Sequence, residues 1–169
     1  MELSIIFLPL IASIISGFFG RYIGDRSSEI VTSVLVSISA LLSIHVLYQV
    51  IVNQYEENIV IATWINSGSL NVNWSMLIDP LSAVMLVVVT SVSALVHIYS
   101  IGYMSHDPHK PRFMAYLSLF TFAMLMLVTS DNFIQLFFGW EGVGLCSCLL
   151  YTSDAADDTP CVDLGGRRI

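Results

Sequence analysis

Residues 81–104 read LSAVMLVVVTSVSALVHIYSIGYM, a run of 24 residues without Asp, Glu, Lys or Arg. An α-helix needs about 20 mostly apolar residues to cross the hydrocarbon core of a bilayer. Asp79 and Pro80 precede the run and form a helix start signal, with Asp as the N-cap and Pro in the first turn. The stretch therefore predicts a membrane-spanning helix with a defined beginning.

The composition of the whole chain extends this prediction. Of its 169 residues, 56% are hydrophobic and 11% are charged, whereas a soluble domain carries about 25% charged residues. The predicted fold class is an all-α polytopic membrane protein, with the lipid bilayer as its surroundings. About five transmembrane helices are expected, at Leu3–Phe19, Ile30–Val52, Leu81–Met104, Phe113–Ser130 and from near Asn132 onward.

The loops between the spans differ in charge. Arg21 and Arg26 follow the first span, and Lys110 and Arg112 follow the third, while the loops after the second and fourth spans hold no Lys or Arg. Basic loops tend to stay in the cytoplasm. The N-terminus is therefore predicted to face outward. These few basic residues form no patch for nucleic acid, so no nucleic-acid partner is expected.

The loop between the second and third spans has the pattern of strands. NIVIATWI (58–65) is rich in β-branched residues, and NSG (66–68) is a turn signal. After the turn, apolar and polar residues alternate, which is typical of a half-exposed strand; the apolar members are Leu70, Val72, Trp74 and Met76. We expect a short extracytoplasmic β-hairpin here.

Glu141 lies inside the fifth predicted span, in FFGWEGVGLCS (137–147). A charged group at bilayer depth costs about 2.5–3.5 kcal/mol on insertion scales. A carboxyl that holds its proton in one setting and releases it in another is a proton carrier. The small neighbours Gly139, Gly142 and Gly144 favour a packed, interior position. The alternative is that Glu141 pairs with a basic residue and only fixes helix packing.

His97, in the third span, is a second candidate for a proton relay, because imidazole titrates near neutral pH. The alternative is a packing histidine that hydrogen-bonds a backbone carbonyl. His45, in the second span, is expected to be structural. His106 and His109 fall short of a full zinc ligand set, so no metal is expected. Asp131 is expected to cap the fifth helix.

Several quoted stretches carry a family resemblance. SDNFIQLFFGWEGVGLCS (130–147) resembles the signature of the largest antiporter-like subunit of proton-translocating NADH–quinone oxidoreductase, respiratory complex I. That subunit is called L in bacteria and is the fifth hydrophobic chain in mitochondria. PLIASIISGFFGRYIG (9–24), the region from Trp74 to Pro108, and PRFMAYLSLFTFAMLMLVTSDN (111–132) agree with it. The resemblance covers residues 1–147.

The resemblance implies a function. Complex I oxidises NADH in a peripheral arm and pumps protons through its membrane arm, and the antiporter-like subunits carry buried acids, lysines and histidines. NADH, FMN, iron–sulfur clusters and quinone are expected on other subunits, with no cofactor in this chain. Glu141 matches the family's fifth-helix glutamate, which pairs with a lysine on a later helix. The wording of GDRSSE (24–29) and HIYSIGYM (97–104) suggests a bacterial gene, and hence the bacterial inner membrane.

Residues 148–169 read CLLYTSDAADDTPCVDLGGRRI and differ in character from the rest. The stretch has no apolar period, and Asp154 interrupts the fifth span before it is safely finished. It resembles the translated end adaptor of a transposase-based sequencing library. We expect Cys148–Ile169 to be a non-native tail, leaving residues 1–147 as the N-terminal helices of the subunit, a fragment that is not expected to translocate protons alone.

Two other interpretations remain at this point. The large subunit of a multisubunit sodium/proton antiporter, or the matching chain of a membrane hydrogenase, shares the fifth helix. A small membrane scaffold protein without transport activity would instead require an authentic tail.

Overall fold

The computed structural model describes residues 1–68, 70–105, 107 and 109–155. In this part of the chain, five α-helices and two β-strands follow one another as α1 Glu2–Ile23, α2 Asp25–Asn53, β1 Glu57–Ser67, β2 Leu70–Ile78, α3 Pro80–Tyr103, α4 Lys110–Val128 and α5 Phe133–Ala155. By length and composition, each of these five helices can cross a membrane. The predicted fold class, five long apolar helices with a hairpin between the second and third, is confirmed.

Helices α1, α2, α4 and α5 each extend several residues beyond their predicted ends, and α2 and α5 extend the furthest. Helix α2 begins at Asp25 rather than Ile30, because polar residues are tolerated in the first turns of a span at headgroup level. Helix α5 continues past Ser147 to Ala155, and Phe133–Thr152 alone is a candidate span of 20 residues. The expectation that Asp154 cuts the span short is therefore wrong. The non-native origin of Cys148–Ile169 stays a prediction, and residues 156–169 lie outside the described part of the chain.

The helix starts confirm one predicted cap and correct another. Asp79 Oδ1 accepts a hydrogen bond from Ser82 N at 2.6 Å, and Ser82 Oγ accepts one from Asp79 N at 2.8 Å, which forms a capping box. At α5 the cap is Asn132, whose Oδ1 accepts from Gln135 N at 2.9 Å. Asp131 lies one residue too early for this contact, so its predicted capping role is wrong.

Buried hydroxyl groups join the helices. Helix α1 packs on α2 and α4, α2 packs on α3, and α4 packs on α5. Ser39 Oγ donates to Ile5 O at 2.6 Å between α2 and α1, and the Ser43 and Thr90 hydroxyls lie 2.7 Å apart between α2 and α3. Small side chains and such hydrogen bonds are how helices associate in lipid, where the hydrophobic effect does not drive them together.

The hairpin is antiparallel, with Glu57 opposite Ile78 and Ser67 opposite Leu70. Its turn includes Gly68, whose φ of +58° lies in the left-handed region that glycine adopts without strain. Its apolar face joins the main core, where the ends of four helices meet; that core contains Ile5, Ile6, Val46, Val50, Met76, Ile78, Ala83, Leu86, Leu125 and Met126. The hairpin thus closes one end of the helix bundle.

One predicted feature of the hairpin differs from the structure. Val72 and Met76 are buried, as the alternation in β2 predicts, but Ser75 on the opposite face is buried as well. Helix α5 covers it, because the Gln135 side chain binds the Ser75 backbone. The strand is therefore less exposed than its polar alternation suggests.

Glycine allows α4 and α5 to approach closely. A Cβ atom added at Gly139 would lie 2.8 Å from both the N and Cα atoms of Leu127. One added at Gly142 would lie 3.2 Å from Ala123 Cβ, whereas one added at Gly144 would meet nothing within 4 Å. The backbone of α5 is therefore held against α4 along one face only.

We expect Gly139→Ala, introduced into the full-length parent protein, to destabilise it by about 1–3 kcal/mol, because a backbone cannot move aside as a flexible side chain can. Gly144→Ala is the matched control and should be neutral or stabilising, since Ala is the better helix former. Thermal unfolding of the detergent-purified protein measures both. Equal effects of the two substitutions would contradict the close α4–α5 contact.

Candidate functional site

Glu141 lies near the middle of α5 and is exposed in the described part of the chain. Its neighbour Gly142 faces α4, and successive helix residues are about 100° apart, so the carboxyl points away from that contact. Phe137 and Leu145, one turn before and after it, are also exposed. In the described part of the chain, Gly139 and Gly142 are packed against α4, whereas Gly144 and Glu141 are not.

No charge partner for Glu141 is present among residues 1–68, 70–105, 107 and 109–155. The ion pairs between these residues, at N···O distances up to 4.0 Å, do not include it. An ionised carboxylate on this face would stand against lipid at a cost of about 2.5–3.5 kcal/mol on insertion scales. The described helices thus neither bury the carboxyl nor pair it.

His97 is fully buried between α3 and α4, and both of its ring nitrogens have partners. Nδ1 lies 2.8 Å from Ser93 O, and Nε2 lies 3.0 Å from Ser118 Oγ. Because a carbonyl oxygen can only accept, this geometry assigns the proton of the neutral ring to Nδ1, with the Ser118 hydroxyl donating to Nε2. The contact with Ser93 O is the one expected of a packing histidine.

The hydrogen bonds continue beyond the ring. Ser93 Oγ lies 3.3 Å from His97 Nδ1 and 2.5 Å from Thr121 Oγ1. We call Ser118, His97, Ser93 and Thr121 the His97 chain. His97, Ser93 and Thr121 each both donate and accept hydrogen bonds, which proton transfer along such a chain requires, and the Ser118 hydroxyl donates to the ring at the start of the chain. Ser93 and Thr121 also border a groove of about 330 Å³ between α3 and α4, lined otherwise by apolar side chains.

The structure does not bring His97 and Glu141 together. The hydrogen-bond partners of His97 lie on α3 and α4, whereas Glu141 occupies the outward face of α5. The two predicted site residues are therefore separate polar positions in this part of the chain rather than one constellation.

The other described histidines, His45 and His109, lie apart from each other and from His97. His45 is exposed on α2, with Nε2 3.5 Å from Gln49 Nε2, so it takes no part in the core. His109 Nδ1 lies 3.7 Å from Asp107 Oδ1, and His106 lies outside the described residues. Within the described ranges, no three side chains of His, Cys, Asp or Glu come together.

Gln135 positions α5, and its role was not foreseen from the sequence. Its side chain pairs with the backbone of Ser75 in β2 as a neighbouring strand would: Oε1 accepts from Ser75 N at 3.0 Å, and Nε2 donates to Ser75 O at 2.6 Å. Asn132 Nδ2 adds a bond to Asn73 O at 2.9 Å. The signal was an amide within the otherwise apolar FIQLFF (133–138).

Glu29 is a second acid that the predicted spans missed, because α2 was expected to begin at Ile30. Its side chain is buried near the N-terminal end of α2, and its Oε1 lies 3.8 Å from Lys110 Nζ. Glu29 is thus paired within the described chain, which Glu141 is not.

Comparison with known proteins identifies the family. Over 148 residues, which are 88% of its length, the chain is 55% identical to "NADH-ubiquinone oxidoreductase chain 5" of Phytophthora infestans. Residues 64–114 match the family described as NADH-Ubiquinone oxidoreductase (complex I), chain 5 N-terminus. The chain belongs to the chain 5 family. The proteins of the same name from Arabidopsis thaliana and Chondrus crispus are 56% and 50% identical over 89% and 94% of this chain.

The chain 5 relatives are much longer than this chain. It spans 22% of the length of the Phytophthora and Arabidopsis proteins and 24% of the Chondrus protein. The sequence therefore corresponds to an N-terminal portion of chain 5, and the family resemblance is confirmed. These relatives are eukaryotic, so the expectation of a bacterial gene is corrected.

Asp131, in the turn between α4 and α5, should make the stability of the fold depend on pH in the acid range. Burial by itself raises the pKa of Asp131, but hydrogen bonds from side chains that include Asn58 and Asn132 outweigh it and hold the pKa below its ordinary value of 3.8. A depressed pKa stabilises the fold above the unfolded-state value, and this contribution is lost as the pH falls through the folded-state value. The pH range in which this stabilisation is lost therefore lies below about pH 4.

Asp131→Asn in the full-length parent should flatten the loss of thermal stability below that pH, because the titrating group is gone. Unfolding midpoints at a series of acid pH values measure the effect, with the exposed Glu56→Gln as the control. An Asn variant with the same acid dependence as the wild type would remove Asp131 from this role.

Proposed function

We propose that the chain is the N-terminal part of a proton-translocating membrane-arm subunit of complex I, in which Glu141 carries a proton. The observation that supports this most strongly is the position of Glu141, at the centre of a span, on a face that the described helices leave uncovered and unpaired. An ionisable group within a span is functional by default, because leaving it there without a role is costly.

The proposed partner of Glu141 is a cation supplied by a helix that this chain does not contain. The relatives are about four times as long, which leaves ample chain for such a helix. The family resemblance implies that the cation is a lysine. A proton on Glu141 and a charged pair with that lysine would be alternative states of similar free energy, and switching between them moves a proton.

His97 is proposed as a second proton-conducting group. A proton arriving at Nε2 through Ser118 and leaving Nδ1 toward Ser93 would cross between α4 and α3 through contacts of 3.0 Å and 3.3 Å. The chain would then return to its starting tautomer by rotation of the hydroxyls and the ring. This role is independent of Glu141, because the two groups do not touch.

The other components follow from the same proposal. Other membrane-arm subunits of complex I would be the protein partners, and NADH, FMN, iron–sulfur clusters and quinone would belong to other subunits. The names of the three relatives favour an oxidoreductase subunit over a sodium/proton antiporter or a scaffold protein. The protein would lie in an energy-converting membrane, with its basic loops on the cytoplasmic or equivalent side.

Glu141→Gln in the full-length subunit keeps shape and hydrogen bonding but removes titration. Proton pumping per assembled complex should fall strongly, about 10-fold or more, as expected for loss of a group that transfers protons. Glu141→Asp keeps a titrating group and should lose less, and the exposed Glu56→Gln serves as the control. Pumping is measured in membrane vesicles.

If Glu141 only anchors packing, the Gln variant should instead lower assembly, because it leaves an unpaired cation. Wild-type pumping at normal assembly would reject the carrier role.

Membrane orientation is tested by cysteine labelling. A membrane-impermeant maleimide added from outside should modify a cysteine at Ser67 in the hairpin and spare one at Ser27 in the first turn of α2, because basic segments face inward. Both serines are exposed, whereas Ser28 is buried and would be a poor reporter. The reverse labelling pattern would overturn the topology.

A further inference from the structure

A cleft of about 690 Å³ opens between the last turn of α1 and the first turn of α4. Arg21, Arg112 and the His109 ring line it, and Asp25 is the one acid among its described lining residues. In the described part of the chain, neither guanidinium has a carboxylate within 4.0 Å. Because arginine is always charged in proteins, the cleft presents two positive groups that no described carboxylate neutralises.

Packed helices rather than loops form the floor of this cleft. Ser16 Oγ, in the cleft lining, donates to Pro111 O at 2.7 Å and lies 2.5 Å from Ser28 Oγ. A Cβ atom added at Gly17 would lie 3.5 Å from Ala115 Cβ, so α1 and α4 are in van der Waals contact there. The floor of the cleft is therefore held by contacts between helices α1, α2 and α4.

The cleft lies at the boundary of the bilayer. Arg21 is in the last turn of one candidate span and Arg112 is in the first turn of another. Ile14 is seven residues before Arg21, and Leu119 is seven residues after Arg112, so each lies two turns deeper on the same helix face as its arginine. Ile14 is 43% exposed, and Leu119 is half-buried. A basic site thus continues into an apolar stripe that points toward the membrane interior.

We propose that this cleft, the Arg21–Arg112 cleft, binds the phosphate of an anionic phospholipid whose acyl chains lie along Ile14 and Leu119. Guanidinium groups bind phosphate oxygens in a bidentate manner, and basic pockets between helix ends recognise lipid headgroups. Asp25 would accept hydrogen bonds from a hydroxylated headgroup such as glycerol. The volume fits a small-molecule site, roughly 300–1,000 Å³. A free phosphate ion shares the charge chemistry but would leave the apolar stripe unused.

The test uses the full-length subunit in its purified, assembled complex. Phosphatidylglycerol with a diazirine in its acyl chain is photolysed with the complex, and labelled peptides are mapped by mass spectrometry; the matching phosphatidylcholine is the neutral comparison. Labelling near Ile14 and Leu119 should be about 30-fold stronger with phosphatidylglycerol, because two arginines act on its charge. Each basic residue near an anionic lipid is worth about a factor of five, so Arg21→Gln with Arg112→Gln should lower this labelling about 30-fold per assembled complex.

Arg26→Gln is the matched control, because Arg26 lies five residues from Arg21, in the first turn of α2, but is not among the residues that line the cleft; its labelling should stay at the wild-type level. Equal labelling by the two lipids, or an equal loss in Arg26→Gln, would overturn the proposal. Displacement of the label by millimolar inorganic phosphate would identify a free anion as the occupant and reject the lipid. If the double variant does not assemble, Arg112→Gln alone should show about a fivefold loss, and unchanged labelling there rejects the site.

Discussion

The cost of a polar group without a partner in the hydrocarbon region is the constraint on which this structure depends. Most buried hydroxyls in the helices bond to a backbone carbonyl or to each other, as Ser39 does with Ile5 O. His97 has a partner on each ring nitrogen. Lipid offers no water to replace such partners, so they must come from within the protein. Glu141 departs from this pattern in the described chain, which is why its outward face indicates that more protein covers it.

Contacts on the N-terminal side of Glu141 in α5 fix the position of its carboxyl. At the N-terminal end of α5, Gln135 binds the β2 backbone and Asn132 caps the helix. One turn further along, Gly139 brings the α5 backbone against Leu127 of α4. These two attachments set both the height and the rotation of α5, so the carboxyl is held at one depth and direction. The hairpin thus contributes to the site by holding the helix that carries it, as a functional group on a rigid element requires.

The sequence was sufficient for features that depend on composition along the chain. Long uncharged runs specified five helices, Asp79-Pro80 specified a helix start, and alternation in β2 specified the buried positions Val72 and Met76. Features that depend on contacts between distant segments were missed. The partners of Gln135 lie 60 residues away in the chain, and those of His97 lie on a different helix. The outward direction of Glu141 depends on which face of α5 meets α4, and the surrounding glycines alone do not specify that face.

The central claim is that protein, and not lipid, covers the Glu141 face of α5 in the complete subunit. A nitroxide spin label on a cysteine at position 141 of the full-length protein, reconstituted in lipid, tests it directly. If protein covers this face, the label is immobilised and has low accessibility to oxygen, which concentrates in the hydrocarbon, while a label at Leu41, exposed near the middle of α2, serves as the mid-span comparison. A mobile label at 141 with high oxygen accessibility would show that this face meets lipid, and would contradict the account.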